Sequence, residues 1–200
     1  MRPNKSLSLA AGVSFERLQF QYPALRTKTA YSGTADIAYR RRIETPGGCR
    51  QDFSLAYSLR TATRILDSDF VYTRQFMTAG YRISNGKNLF GVHFLGGFAT
   101  GTAPLFERFS LGDSATLRGW DKFDVAPLGG TRAAQGSLEY RYRHFQIFYD
   151  FGKVWDKGGE LSRVRHGMGF GWISNHTFAS LAFPVRLYEV TPVFMLGYKD

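Results

Sequence analysis

The chain has 200 residues, with 26 Lys and Arg against 16 Asp and Glu for a net charge of +10, 16% aromatic residues and 22 glycines. Its mean hydropathy is −0.25, and no apolar run of about 18 residues occurs, so a helical membrane protein is excluded. These figures leave two classes open: a soluble all-β domain, and a membrane barrel whose apolar residues need fill only every second strand position.

In chain order, alternation appears first at Leu7, Leu9, Ala11, Val13 and Phe15, which interleave with Ser6, Ser8, Ala10, Gly12 and Ser14. Ile37 and Tyr39 alternate with Asp36, Arg40 and Arg42, and Phe53, Leu55, Tyr57 and Leu59 with Ser54, Ala56, Ser58 and Arg60. A period of two puts one set on each face of a strand. Further strands are expected near 70–83, 87–99, 136–143, 147–152, 162–173, 178–187 and 192–199. That makes about ten strands of roughly ten residues each, about five on either side of a polar, Gly-rich stretch. Thr45-Pro46-Gly47-Gly48-Cys49, Asp67-Ser68-Asp69, Ser84-Asn85-Gly86-Lys87, Arg143-His144 and Ser174-Asn175-His176 carry turn chemistry. The expectation is one domain over 1–200, with strands in 5–99, a long loop at 100–131 and strands in 132–199.

Arginine decides between the two classes. Arg40, Arg42, Arg60, Arg64, Arg141, Arg143, Arg163 and Arg165 recur on the polar parity rather than in surface runs. A soluble sandwich could not bury so many charges, whereas a water-filled lumen can hold them. The fold class read from the sequence is therefore all-β, an antiparallel transmembrane β-barrel with a basic lumen or mouth. Nucleic acid is not an expected partner, because the basic residues alternate with lipid-type residues instead of forming a patch.

Little points to catalysis. His93, His144, His166 and His176 fall in four separate segments, no serine sits in a G-x-S-x-G elbow, and no phosphate-binding loop is present. His144 reads as a solvated turn residue and His166 as an interfacial packing residue beside Val164 and Met168. Cys49 is alone and allows no internal disulfide, and no Cys/His grouping has metal-ligand spacing. Neither enzymatic activity, a cofactor nor a metal is expected. Met1-Arg2-Pro3-Asn4-Lys5 leads straight into the first alternating segment, so no signal peptide is read here.

The most informative stretch is Leu117-Arg118-Gly119-Trp120, inside the long loop. Phe106-Glu107-Arg108-Phe109 and Leu111-Gly112 precede it. Gly129-Gly130, Ser137-Leu138-Glu139, Phe148-Tyr149-Asp150-Phe151-Gly152 and Val154-Trp155 follow. This order resembles the barrel domain of the BamA/TamA superfamily, the bacterial surface antigen family, through its motifs over roughly 104–156 and by pattern alone elsewhere.

The resemblance implies a bacterial outer-membrane barrel in which an R-G-F/Y/W tetrad, at the tip of a long extracellular loop, folds back into the lumen. There its arginine meets an acidic residue of an F-x-D-x-G strand. It implies a role in outer-membrane protein assembly or polypeptide translocation, with a passive anchor or pore as the alternative. Implied partners are outer-membrane lipid and lipopolysaccharide, with client outer-membrane proteins. Counting strands from an extracellular loop puts both termini in the periplasm. The family's complete barrel is expected to have sixteen strands and soluble periplasmic modules before it, and its last strand typically closes on an aromatic residue. This chain has room for about ten strands and no periplasmic module, and it ends Gly197-Tyr198-Lys199-Asp200. It reads either as the C-terminal part of a larger barrel or as a short relative. A closed ten-stranded barrel would require Leu7–Phe15 to pair with Val193–Tyr198.

The residues give a physical reading of the tetrad as well. Ordering each residue of a long loop costs roughly 1–2 kcal/mol, and an internal charge pair can offset this. Arg118 offers a planar fork to a carboxylate, Gly119 permits a sharp turn, and Trp120 supplies a stiff surface to wedge against the wall. Parity puts Gly136, Leu138, Tyr140 and Tyr142 toward lipid and Ser137, Glu139, Arg141 and Arg143 toward the lumen. On the next strand Phe148, Asp150 and Gly152 point inward. Asp150 is the first choice as partner of Arg118, because Gly152 leaves room for the loop. Glu139 is the fallback and otherwise balances Arg141 and Arg143, and both acids could merely offset a basic lumen.

Overall fold

A computed structural model describes residues 4–20, 26–156, 163–174, 177–186 and 191–198. Asn175, His176, Lys157-Gly158-Gly159 and the Lys199-Asp200 tail lie outside the described residues. Alternating sequence becomes strand almost throughout: β1 (Asn4–Phe20), β2 (Arg26–Glu44), β3 (Cys49–Ala62), β4 (Tyr72–Asn85), β5 (Asn88–Gly101), β6 (Arg132–Tyr142), β7 (Phe145–Trp155), β8 (Arg165–Ile173), β9 (Thr177–Pro184) and β10 (Val193–Tyr198). They form a single antiparallel sheet in sequential order, β1 to β10.

Cross-strand register carries the two faces unbroken around the sheet. One inward row runs Arg40, Ser54, Gly80, His93, Ser137, Asp150, Gly167, and the next runs Arg42, Asp52, Arg82, Gly91, Glu139, Phe148, Gly169. The opposite face carries Ile37, Leu55, Met77, Phe94, Leu138, Tyr140, Ile147, Phe151, Met168 and Phe170, all exposed. A sheet whose apolar outer face is covered by no layer among the described residues suits lipid as its solvent.

The sheet is curved around the long loop. Loop side chains reach Arg60 and Arg74 on β3 and β4, Glu139 and Asp150 on β6 and β7 and the backbone of β8, and the loop backbone at Gly119 lies against β9, all from the inward face. Leu111, Leu117 and Trp120 of the loop and Phe109 pack against Leu95, Ala99, Ala133 and Val154 of the wall, making the main buried cluster.

Strand length departs from the even spacing expected. β1 has 17 residues and β2 has 19, because β2 pairs with β3 only from Ser32 onward while its earlier residues pair with β1 alone. Turn chemistry also overrides parity at several arginines. Arg64 is exposed in a short 3₁₀ turn, Arg143 has φ of 55° in the β6–β7 turn, and Arg163 precedes β8, so these three are not inward strand residues. Cys49 opens β3 instead of sitting in the turn.

Among the described residues no ladder joins β1 to β10. Outward residues of the two edge strands are correspondingly bare, Leu9 at 70% and Leu196 at 72%, against 39% for Leu55 and 41% for Leu138 within the sheet.

Candidate functional site

The loop between β5 and β6 is built to lie against the wall. Asp113 accepts from the backbone N–H groups of Ala115 (2.9 Å) and Thr116 (2.8 Å) and from the Thr116 hydroxyl. This local turn presents Leu117, which is fully buried. Gln135 on β6 donates to the Thr116 carbonyl (2.9 Å), tying the turn to the sheet.

Arg118 follows at once. Its Nε and Nη2 donate to the two oxygens of Asp150 at 2.7 and 2.6 Å, and its backbone N–H donates to the same carboxylate at 3.1 Å. Nη1 donates to Glu139 Oε1 at 2.9 Å and Nη2 to Ser137 Oγ at 2.9 Å. Ser137 in turn donates to Asp150 at 2.7 Å. The guanidinium lies 3.7 Å from the centroid of the Phe148 ring. Asp150 and Glu139 are therefore simultaneous acceptors and not alternatives. Glu139 pairs with Arg118 and not with Arg141 or Arg143; Arg143 lies in the β6–β7 turn.

Asp150 is fully buried and the Arg118 side chain is 12% exposed. Burial alone would lower the guanidinium pKa; the hydrogen bonds and charge of Asp150, with Glu139, outweigh it and raise the pKa, keeping the group charged.

Glycine makes the approach possible. Gly119 has φ of 88° and lies against the Phe183–Pro184 backbone of β9, while a side chain at Gly167 on β8 would meet the Arg118 carbonyl. Gly152 abuts Leu111 of the loop, so it makes room for the turn ahead of the tetrad and not for Arg118 itself. Trp120 donates its indole N–H to the His166 carbonyl (2.7 Å), and the guanidinium groups of Arg165 and Arg186 lie over its ring, 4.8 and 4.4 Å from the centroid. His166 itself bonds Tyr149 through Nδ1 at 2.7 Å, and His144 stacks on Trp172.

A second anchor was not assigned from the sequence. Arg60 and Arg74 face each other across β3 and β4, a like-charge juxtaposition that destabilises a sheet. Glu107 of the loop inserts between them: it pairs with Arg60 Nη1, lies 3.5 Å from Arg74 Nε, and accepts from the Tyr72 hydroxyl at 2.9 Å. Two inward arginines at opposed positions, with one acid in the facing loop, were the available signal. We predict that Glu107→Gln lowers barrel stability by about 1–3 kcal/mol, because the charge removed is buried while both arginines retain some solvent. Thermal unfolding in detergent checks this; an unchanged midpoint would count against the anchor.

At the loop's base, Phe109 bridges Gly130, and Arg108 pairs with Asp156, which also accepts from the Thr131 N–H at 2.9 Å. Partial burial opposes ionisation of Asp156, but Thr131 and Arg108 prevail and hold its carboxyl below the usual carboxylate range. Among the described residues no group of three His, Cys, Asp or Glu side chains is gathered to hold a metal ion.

Residues 35–186 match the Omp85 superfamily domain. No curated protein sequence matches the chain. Among solved structures, the crystal structure of BamA from Haemophilus ducreyi lacking POTRA domains 1-3 shares the fold with a TM-score of 0.63 at 14% identity, over 96% of this chain. The chain spans 59% of the length of that BamA chain. The family domain thus takes in most of the sheet together with the whole of the long loop, and the chain belongs to the Omp85 superfamily, as an outer-membrane β-barrel that shares the BamA fold.

Proposed function

We propose that this barrel acts in outer-membrane protein assembly or polypeptide translocation, as a single domain over 1–200, with the loop carrying Leu117-Arg118-Gly119-Trp120 locked in the lumen. The observation that carries the reading is the convergence of Arg118 on Asp150, Glu139 and Ser137. It holds the tetrad rigidly on the inner wall, with Phe148 beneath the guanidinium and Gly152 seating the adjoining turn. Among the described residues no ladder joins β1 to β10, and a strand edge that is unpaired in lipid seeks a partner strand. The long loop is extracellular in this reading and both termini are periplasmic. Outer-membrane lipid and lipopolysaccharide contact the apolar face and the exposed basic residues, clients are other outer-membrane proteins, and the barrel performs no enzymatic chemistry.

The alternative reading is a passive anchor or pore, in which the wall and the locked loop serve without templating client strands. Reconstitution separates the two. Liposomes containing the protein should speed the folding of a urea-unfolded small outer-membrane barrel relative to empty liposomes, and Asp150→Asn should reduce the gain. A folding rate equal to that in empty liposomes would leave the anchor reading.

A further inference from the structure

Two inner-wall cavities, of about 740 and 780 Å³, open beside each other at the end of the barrel that carries the turns at Gly86-Lys87 and Arg143-His144. They share Arg50, Asp52 and Arg82, so they form a continuous mouth. Its roof is the loop itself, through Ser114, Ala115 and Arg118.

The charge of this mouth is one-sided. Arg40, Arg82, Lys87, Arg141 and Arg143 line it without an ion-pair partner among the described residues. Arg42 and Arg50 share one acid, Asp52, and Glu139, the other acid of the walls, is bound by Arg118. Register explains how the cations stay apart yet face one space. Arg82 follows Asp52 in the cross-strand row, and Gly91 separates it from Glu139 with no side chain in the gap. Arg141 stands one inward position nearer the mouth on β6.

Unpaired guanidinium groups in a concave wall focus a positive potential and concentrate anions, and each presents a fork that fits a carboxylate. Because the cations are spread over several strands and both cavities, they match a chain with repeated charges better than one compact anion. Ser6, Ser54, Ser84 and Asn88 stand among these cations and offer hydrogen bonds to a polypeptide backbone. We propose that this mouth is a binding site for acidic polypeptide segments, with Arg82 and Arg141 as principal contacts. Its facing the periplasm rests on the orientation proposed above; the binding itself does not, and its test is independent of insertion activity.

The test uses the full chain in uncharged detergent and a fluorescent oligoglutamate peptide, read by anisotropy. The parent should bind, with affinity falling steeply as salt rises, and Arg82→Gln with Arg141→Gln should weaken binding about tenfold or more. Lys122→Gln, in the exposed loop away from the mouth, should leave it unchanged. Should the double variant fail to show the heat-modifiable gel shift of a folded barrel, the two single variants carry the comparison, each weakening binding by a smaller factor. A parent that does not bind the peptide, equal affinity of parent and mouth variants, or an equal loss in Lys122→Gln, would overturn the proposal. So would phosphatidylglycerol vesicles whose binding depends on Arg82 and Arg141 when peptide binding does not.

Discussion

Replacing Asp150 with asparagine is expected to free the long loop. The carboxylate is fully buried and accepts from the Arg118 backbone, Nε and Nη2 and from Ser137. Asparagine keeps one of the two acceptor oxygens and turns an NH₂ toward a donor-only guanidinium, leaving a buried cation with only Glu139 to balance it. Breaking a buried pair by removing one partner costs about 3–5 kcal/mol, an amount comparable to ordering several loop residues. Limited proteolysis of the folded variant should therefore cut within 102–131 at protease levels that leave the parent intact. The measured loss should approach the lower end of that range, because Phe148 and Ser137 continue to contact the guanidinium. Unchanged protection would contradict the lock.

The second large effect concerns the two faces of the sheet. Leu55 projects outward from the middle of β3, and its neighbour Ser54 lines the inner cavity. Leu55→Arg should cost about 2–4 kcal/mol near the midplane of the bilayer, whereas Ser54→Arg enters an aqueous wall and should cost far less. Denaturant unfolding in lipid vesicles measures both, and spin labels at the two positions report lipid and water access directly. Equal losses at the two positions would refute the face assignment. Parity alone would nominate Ser137 as the tolerant inward control for Leu138. The structure rules it out, because Ser137 is 5% exposed and bonds both Arg118 and Asp150.

That example marks how far the sequence carries. Strand number and face were legible because alternation is a local property: each residue's side follows from its neighbour's. Parity likewise places Glu139 and Asp150 on one face, and register then sets them on adjacent rows where a single guanidinium spans both. Other features depend on distant pairings. The opposition of Arg60 and Arg74 arises from the β3–β4 register, and Glu107 gains its role only from it. The inward glycines of β8 read as weak strand positions in sequence, yet Gly167 is where the Arg118 carbonyl comes to rest. Arg64, Arg143 and Arg163 were assigned inward by extending parity past the strand ends, where turn geometry takes over.

The account turns on whether Arg118 sits in the lumen against Asp150. Solid-state NMR of the protein in lipid bilayers, with ¹⁵N-labelled arginine and ¹³C-labelled aspartate, reads that contact through the dipolar coupling between guanidinium nitrogens and carboxyl carbon. The structure sets Nε and Nη2 of Arg118 at 2.7 and 2.6 Å from the Asp150 oxygens. A strong coupling assigned to Arg118 and Asp150, lost in Asp150→Asn and in Arg118→Lys while the couplings of Asp52 with Arg42 and Arg50 and of Asp156 with Arg108 persist, is the predicted result. An Arg118 guanidinium that exchanges freely with water and shows no coupling to Asp150 would contradict it.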